Sequence, residues 1–427
     1  MRNPSSILFL FASFLVACGG SVQSAPDAGS GNDSGPQPEA APVMEAGPDV
    51  DNGAPSTTYP AFNVDAPQVV NSNNGPVLGT PKVVPIYFGN DDTTFTAQIT
   101  TFLDALPQST YWGPQVTEYG VGALTIATPI QLTESALTAI NDTAIQQWLT
   151  TKLGSDPSFP VPDANTVYAI FYPTGTVVTL DMDTSCNDFG GYHSSVPYNT
   201  SNVSYAVVPR CASFGSLTGI NAVTGPASHE IMEASTDPYP SANQAYLSVD
   251  DNHFIWELVL GGGEIGDMCA QFPTSFYTPV DIGFAVQRGW SDIAAGQGHD
   301  PCVPSDGTVY FNSMPVLTDT VTLGGGQLTT KGINIAVGQS ATVEVDLFSS
   351  AATEGPWTVS ATDAVQLQGG QPTMNMTWDR TTGVNGEKLH LTINVLSMSQ
   401  YGADAFIINS TLGSRKNIWI GLVGNGM

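Results

Sequence analysis

Ala341, Val343, Val345 and Leu347 place an apolar side chain at every second position, and Leu389, Leu391, Ile393 and Val395 repeat the pattern. A two-residue period belongs to a strand with one buried face and is incompatible with a helix. Phe406-Ile407-Ile408 and Ile418-Trp419-Ile420 continue the apolar strand pattern, while Gly324-Gly325-Gly326, Gly369-Gly370 and Asn385-Gly386 supply turns. Residues 305–427 are therefore expected to form an all-β sandwich of immunoglobulin-like kind. No catalytic constellation falls in this stretch. Its expected roles are spacing, docking or stabilising what precedes it.

Residues 62–304 alternate between the two periods. Residues 81–89 are apolar and bounded by turn residues, which predicts a strand. Phe95, Ile99, Phe102, Leu103 and Leu106 have helical spacing. Residues 121–132 look strand-like. Leu137, Ile140, Ile145, Trp148 and Leu153 predict a helix or helix pair from 133 to 153, with Thr133 or Ser135 as N-cap. Residues 167–172, 177–180 and 204–209 read as strands, and 222–236 as a helix. This order predicts an α+β sheet backed by helices on one side.

The N-terminus reads as an address. Arg2 is followed by an apolar run over residues 7–16, too short to span a bilayer comfortably. Leu15-Val16-Ala17-Cys18-Gly19 resembles the bacterial lipobox, which implies cleavage after residue 17 and acylation of Cys18. The alternative is an ordinary secretory signal with a chance cysteine. Residues 18–61 are dominated by Gly, Ser, Ala, Pro and Asp, with no Lys or Arg between Arg2 and Lys82. Such a stretch buries too little apolar surface to offset its ordering entropy, and is expected to be a disordered tether. The expected location is outside the cytoplasm, lipid-anchored to the bacterial cell envelope at the outer membrane or cell surface. The acyl chains would be the only membrane contact.

Charge excludes one class of partner. The 10 Lys and Arg face 38 Asp and Glu, a formal net charge of −28. Phosphate binding needs clustered cations, so nucleic acid is not a partner, nor is a basic patch available for anionic lipid. A monomer is expected.

Apart from Cys18, four cysteines remain: Cys186, Cys211, Cys269 and Cys302. An even number in an exported chain predicts two disulfides. Of three connectivities, Cys186–Cys211 with Cys269–Cys302 is favoured, because each closes a local loop. A zinc site of four thiolates is weak, for want of a CxxC pair.

The chemistry concentrates at Ser228-His229-Glu230-Ile231-Met232-Glu233-Ala234-Ser235-Thr236-Asp237-Pro238. On a helix, positions four apart share a face. His229 and Glu233 would then hold one metal ion, with Glu230 within reach of a metal-activated water. This is the HExxH arrangement of zinc enzymes with Glu in place of the second His. Glu264, flanked by glycines, is the expected third ligand. Asp267 is expected to orient His229, and is the runner-up as direct ligand. A calcium site or a turn cap is the competing use of those two acids. From Cys211 to Gln287 there are nine Asp or Glu and no Lys or Arg, a crowding that a cation would relieve. His193, in Gly190-Gly191-Tyr192-His193-Ser194-Ser195, is expected to stabilise an oxyanion or to hydrogen-bond its loop. His253 and His299 read as solvated loop residues. Tyr239, Tyr246, Trp256 and Trp290 read as packing rather than as sugar-stacking platforms.

His229 to Pro238 resembles the HExxEAxTDP signature of secreted bacterial and fungal proteins similar to the plant EXORDIUM, or phosphate-induced protein, family. Gly75-Pro76-Val77-Leu78, Gly191-Tyr192-His193-Ser194, Tyr205 to Cys211 and Gly263-Glu264-Ile265-Gly266-Asp267 also resemble that group. The resemblance covers residues 75–303 and implies a zincin-like fold, with the HExxE helix packed under a mixed sheet. It implies no defined activity.

The expected function is metal-dependent hydrolysis, with zinc or another divalent metal as cofactor and a peptide or protein as substrate. Glu230 would act as general base. Two alternatives stand beside it: a non-catalytic surface protein using the sandwich for adhesion, and a wall- or carbohydrate-binding protein. No carboxylate pair of glycosidase type is identifiable.

Overall fold

The computed structural model describes residues 51–323 and 328–426. The expected signal segment, Cys18 and residues 18–50 of the expected tether lie outside the described residues. Residues 51–61, also assigned to the tether, are held by the C-terminal part. Lys388 N donates to Asn52 O at 2.9 Å, and the Asn385 side-chain amide donates to Ser56 O and Thr58 O at 3.0 and 2.8 Å.

The first part is organised by one sheet. Its strands are β1 (Lys82–Tyr87), β2 (Thr125–Ile126), β3 (Ile130–Gln131), β4 (Thr166–Tyr172), β5 (Tyr192–Tyr198) and β6 (Ser201–Pro209). β1 runs parallel to β2, β3 and β4; β4 runs parallel to β6; β5 closes the edge antiparallel to β6. Every residue of β4 is buried. Its run Val167-Tyr168-Ala169-Ile170-Phe171-Tyr172 has no polar alternation, as a strand covered on both faces requires. On one face Val167, Ala169, Phe171, Ala206 and Val208 join the core that includes Ile99, Phe102 and Leu103 of α1 (Thr93–Ala105) and Val223, Ala227 and Ile231 of α3 (Asn221–Thr236). On the other, Tyr168, Ile170, Tyr205 and Val207 pack with Ile145 and Leu149 of α2 (Asp142–Ser155).

The expectation of an α+β zincin-like domain with helices on one side of its sheet is thereby corrected. Strand is the commoner element: it holds 35% of the described residues, and helix 21%. Helices lie on both faces of the main sheet, and most other strands of the first part form two-stranded ribbons such as Val69–Val70 with Ser248–Val249. Two local expectations also shift. α2 starts at Asp142, capped by Asn141, whose Oδ1 accepts from Ala144 N at 2.9 Å; Thr133 and Ser135 do not cap it. Residues 139–141 are instead a short strand beside Val177–Leu180. Of residues 121–132, only β2 and β3 are strand.

The C-terminal part contains two facing sheets. One is built from β7 (Phe311–Pro315), β10 (Ser340–Ser349), β14 (Lys388–Val395) and β12 (Met374–Trp378). The other runs β8 (Asp319–Leu323), β9 (Leu328–Asn334), β16 (Arg415–Gly424), β15 (Ala403–Leu412), β11 (Trp357–Asp363) and β13 (Thr382–Gly383). Trp357 Nε1 of one sheet donates to Ser313 Oγ of the other at 3.0 Å. The alternating Leu389, Leu391, Ile393 and Val395 are all buried between the sheets.

An aromatic contact joins the two parts. Trp256 on α4 (Phe254–Leu260) lies edge-on to Trp419 of β16, with centroids 5.5 Å apart, and 6.0 Å from Trp290. Trp256 and Trp290 are buried, whereas Tyr239 and Tyr246 are half-buried. Glu257, also on α4, accepts from Val249 N at 3.2 Å, yet burial pushes its carboxyl up to about 7. A carboxyl raised on folding stabilises the protein below its unfolded value, and that contribution is lost as the pH rises through 7. Glu257→Gln is expected to flatten the fall in stability between pH 5 and 8 by up to about 3 kcal/mol, read from urea melts. An equally steep fall in the variant would contradict this.

Disulfides join Cys186 to Cys211 and Cys269 to Cys302, 25 and 33 residues apart in sequence. Two structural disulfides fit a protein matured outside the reducing cytoplasm. Among the described residues, no helix is long and apolar enough to cross a membrane.

Candidate metal centre

α3 brings His229 and Glu233 onto one face, one helical turn apart, and their Nε2 and Oε2 atoms are 2.9 Å apart. The helix packs against β6 and β5 with 14 of its 16 residues buried, so these polar groups have little access to water. Glu230 and Glu233 are 4% and 2% exposed. Gly191, just before the edge strand, gives Glu230 its space: a Cβ there would lie 2.8 Å from Glu230 Cγ.

The segment from Glu264 to α5 (Asp267–Ala270) crosses the same face. Gly266 N and Asp267 N both donate to Glu233 Oε1, at 3.0 and 3.1 Å. That leaves Oε2 facing the imidazoles. Close approach requires glycine at 266, since a Cβ would sit 2.6 Å from Glu233 Oε1 and 2.7 Å from His229 Nδ1. Asp267 Oδ1 is 3.7 Å from His229 Nε2, on the same nitrogen that faces Glu233. Asp267 therefore does not orient His229 from behind, as the sequence suggested.

Gln287 has that role, and sequence reasoning missed it. Its Nε2 donates to Gly266 O at 2.7 Å, which fixes the amide, and its Oε1 lies 3.0 Å from His229 Nδ1. The Nδ1 proton is thereby directed at Gln287, and Nε2 is turned toward the carboxylates. The residue's own backbone N donates to Ser228 Oγ at 2.9 Å, tying it to α3. Its only signal in the sequence is an amide beside apolar Val286.

His193 enters from β5. Its Nδ1 is 3.5 Å from Glu230 Oε2 and 3.7 Å from Glu233 Oε2, while Nε2 is 3.5 Å from Glu264 Oε1. Two overlapping sets with ligand-type atoms within 4.8 Å result: His229, Glu233 and Asp267, and His193, Glu233 and Glu264. Glu264, expected beside His229, stands with His193 instead. His253 and His299 lie elsewhere. The former bonds Asp250 and Asp65 O at 3.0 Å and is not solvated, its side chain being 12% exposed.

The electrostatics are those of crowded acids. Burial, then the charges of Glu233 and Asp267, hold the Glu264 carboxyl well above its ordinary range. Burial and Glu233 push Asp267 up to about 8. Burial would lower His229, but the charges of Glu233 and Glu230 outweigh it and hold the imidazole well above its usual value. Buried Glu264 Oε1 accepts no hydrogen bond. A buried acceptor without a donor, among four carboxylates and two imidazoles, is the environment that a divalent cation would satisfy. The donor set of imidazole nitrogen and carboxylate oxygen suits zinc. The way to solvent is past Asp267 and His229, whose side chains are 29% and 14% exposed.

No family model matches the chain, and no curated protein matches it. Among solved structures, domains 4–9 of the surface layer protein SbsC are 19% identical, with 26% of this chain and 14% of that one covered and a TM-score of 0.17. The titin M3 domain is 11% identical, covering 26% of this chain and 97% of that one, at 0.15. The twitchin kinase region from C. elegans is 15% identical, covering 27% and 16%, at 0.17. This chain thus spans a small part of the surface layer protein, and likenesses at these scores carry no functional reading.

Proposed function

We propose that the chain is an exported metal-dependent hydrolase, most suited to peptide bonds, that binds zinc or another divalent ion through His229, Glu233 and an acid of the 264–267 segment. The observation that carries this reading is the unpartnered buried Glu264 oxygen amid acids of a stretch, Cys211 to Gln287, that carries no lysine or arginine. A bound ion would acidify water and polarise a carbonyl. Glu230, 4.0 Å from His229 Nε2 and not bonded by backbone amides as Glu233 is, would take the proton and hand it to the leaving amine. Gln287 would hold His229 in the ligating tautomer. Cys18 would carry acyl chains anchoring the protein to the cell envelope, and the motif set would group it with the secreted HExxEAxTDP proteins related to EXORDIUM.

The test is hydrolysis of casein or gelatin by zinc-loaded protein, with Glu230→Gln as control. The variant is expected to keep its metal and lose about 10²- to 10⁴-fold in turnover. Intact turnover would remove Glu230 as base. The burial of Glu230 favours a second reading, a structural ion in a non-catalytic surface protein. Loaded wild type without any hydrolysis would favour that reading.

A further inference from the structure

We propose that His193 ligates the same ion through Nδ1, so that strand β5 supplies the second imidazole that the HExxE helix lacks. The inference rests on the ion-binding reading above and adds a ligand to it.

The ring is fixed from both sides. Nε2 lies 3.2 Å from the backbone carbonyl of Asp237, the residue that ends α3. A carbonyl only accepts, so Nε2 carries a hydrogen. When the ring is neutral, the lone pair is on Nδ1. That nitrogen faces Glu230 Oε2 at 3.5 Å and Glu233 Oε2 at 3.7 Å, both acceptors. A lone pair set against two carboxylates, on a side chain 4% exposed, needs either a proton or a cation between them. Glu264 Oε1 lies 3.5 Å from Nε2, within ligand distance of the set that His193 forms with Glu233.

His229 has the same arrangement with the nitrogens exchanged. Its Nδ1 is backed by Gln287 Oε1 at 3.0 Å, and its Nε2 meets Glu233 Oε2 at 2.9 Å. Two imidazoles, each backed by an acceptor, converge on one carboxylate oxygen. Backing of this kind orients metal-binding histidines. The oxyanion role expected for His193 fails on the same geometry: Nε2–H is directed at Asp237 O, and Nδ1 meets carboxylates rather than open space.

Zinc X-ray absorption on the full exported protein counts imidazole ligands. Two are expected in wild type, and one each in His193→Gln and His229→Gln. In chelator competition, His193→Gln is expected to bind zinc at least about 100-fold more weakly, the upper end for loss of a mere supporting partner. A wild-type spectrum with one imidazole, or a folded His193→Gln with unchanged affinity, would overturn the proposal. The wild-type spectrum decides even where the variant fails to fold. Wild type that takes up no zinc would instead overturn the ion site, and this ligand with it.

Discussion

Glu233→Gln is expected to abolish stoichiometric metal binding while leaving the fold in place. Glu233 is the one group common to both candidate ligand sets. Its Oε1 accepts two backbone N–H groups from Gly266 and Asp267, and its Oε2 faces both His229 and His193. An amide keeps one oxygen for the backbone donors but turns an NH₂ toward the imidazoles and removes the charge. Zinc affinity should fall by at least about 100-fold, since loss of a ligand must cost more than loss of its support. Metal-free, the variant should be less stable than wild type near neutral pH: although burial opposes it, the charges of His229 and His193 hold the Glu233 carboxyl below its ordinary range, and the amide loses that pairing. Metal content and chelator-treated urea melts check both halves. Wild-type affinity in the variant would contradict the account.

Breaking the Cys269–Cys302 disulfide is expected to have the largest effect on stability. The bond closes 33 residues, and the chain-entropy relation gives about 4 kcal/mol for a loop of that length. It also fixes Cys269, within the short helix that begins at Asp267 and follows directly on the amides holding Glu233. The Cys269→Ser/Cys302→Ser double variant should therefore lose both stability and zinc affinity. A loss under about 1 kcal/mol in urea melts, with metal binding intact, would show that packing alone holds the segment.

What could be read in advance followed from local geometry. The pair His229 and Glu233 was legible because a helix fixes what four residues of separation means. The partition of Glu264 and Asp267 between His193 and His229 was not, since glycines at 262, 263 and 266 leave the path of the backbone open. His193 reaches the site only through the pairing of β5 with β6, a tertiary fact with no local signature. Gln287 acts through one amide in a two-residue strand, too short to leave a period.

The same limits explain the fold. The two-residue period at Leu389 to Val395 survives as a strand because one side packs and the other does not. Val167 to Tyr172 lacks that alternation, which was the available sign that helices cover both faces of the sheet. Leu137 has helical spacing to Ile140 but is 61% exposed, and the cap falls at Asn141 instead. The helical patterns were conspicuous, while ribbons of two-residue strands leave no periodicity. That imbalance made the α+β expectation too helical.

The central claim is that buried carboxylates and imidazoles converge on one divalent ion. Elemental analysis of the full exported protein, purified without chelator and dialysed against zinc, tests it most directly. The account predicts one tightly held ion per chain in wild type and none in Glu233→Gln. Wild-type protein that is folded and disulfide-bonded, yet retains no ion after dialysis, would contradict it.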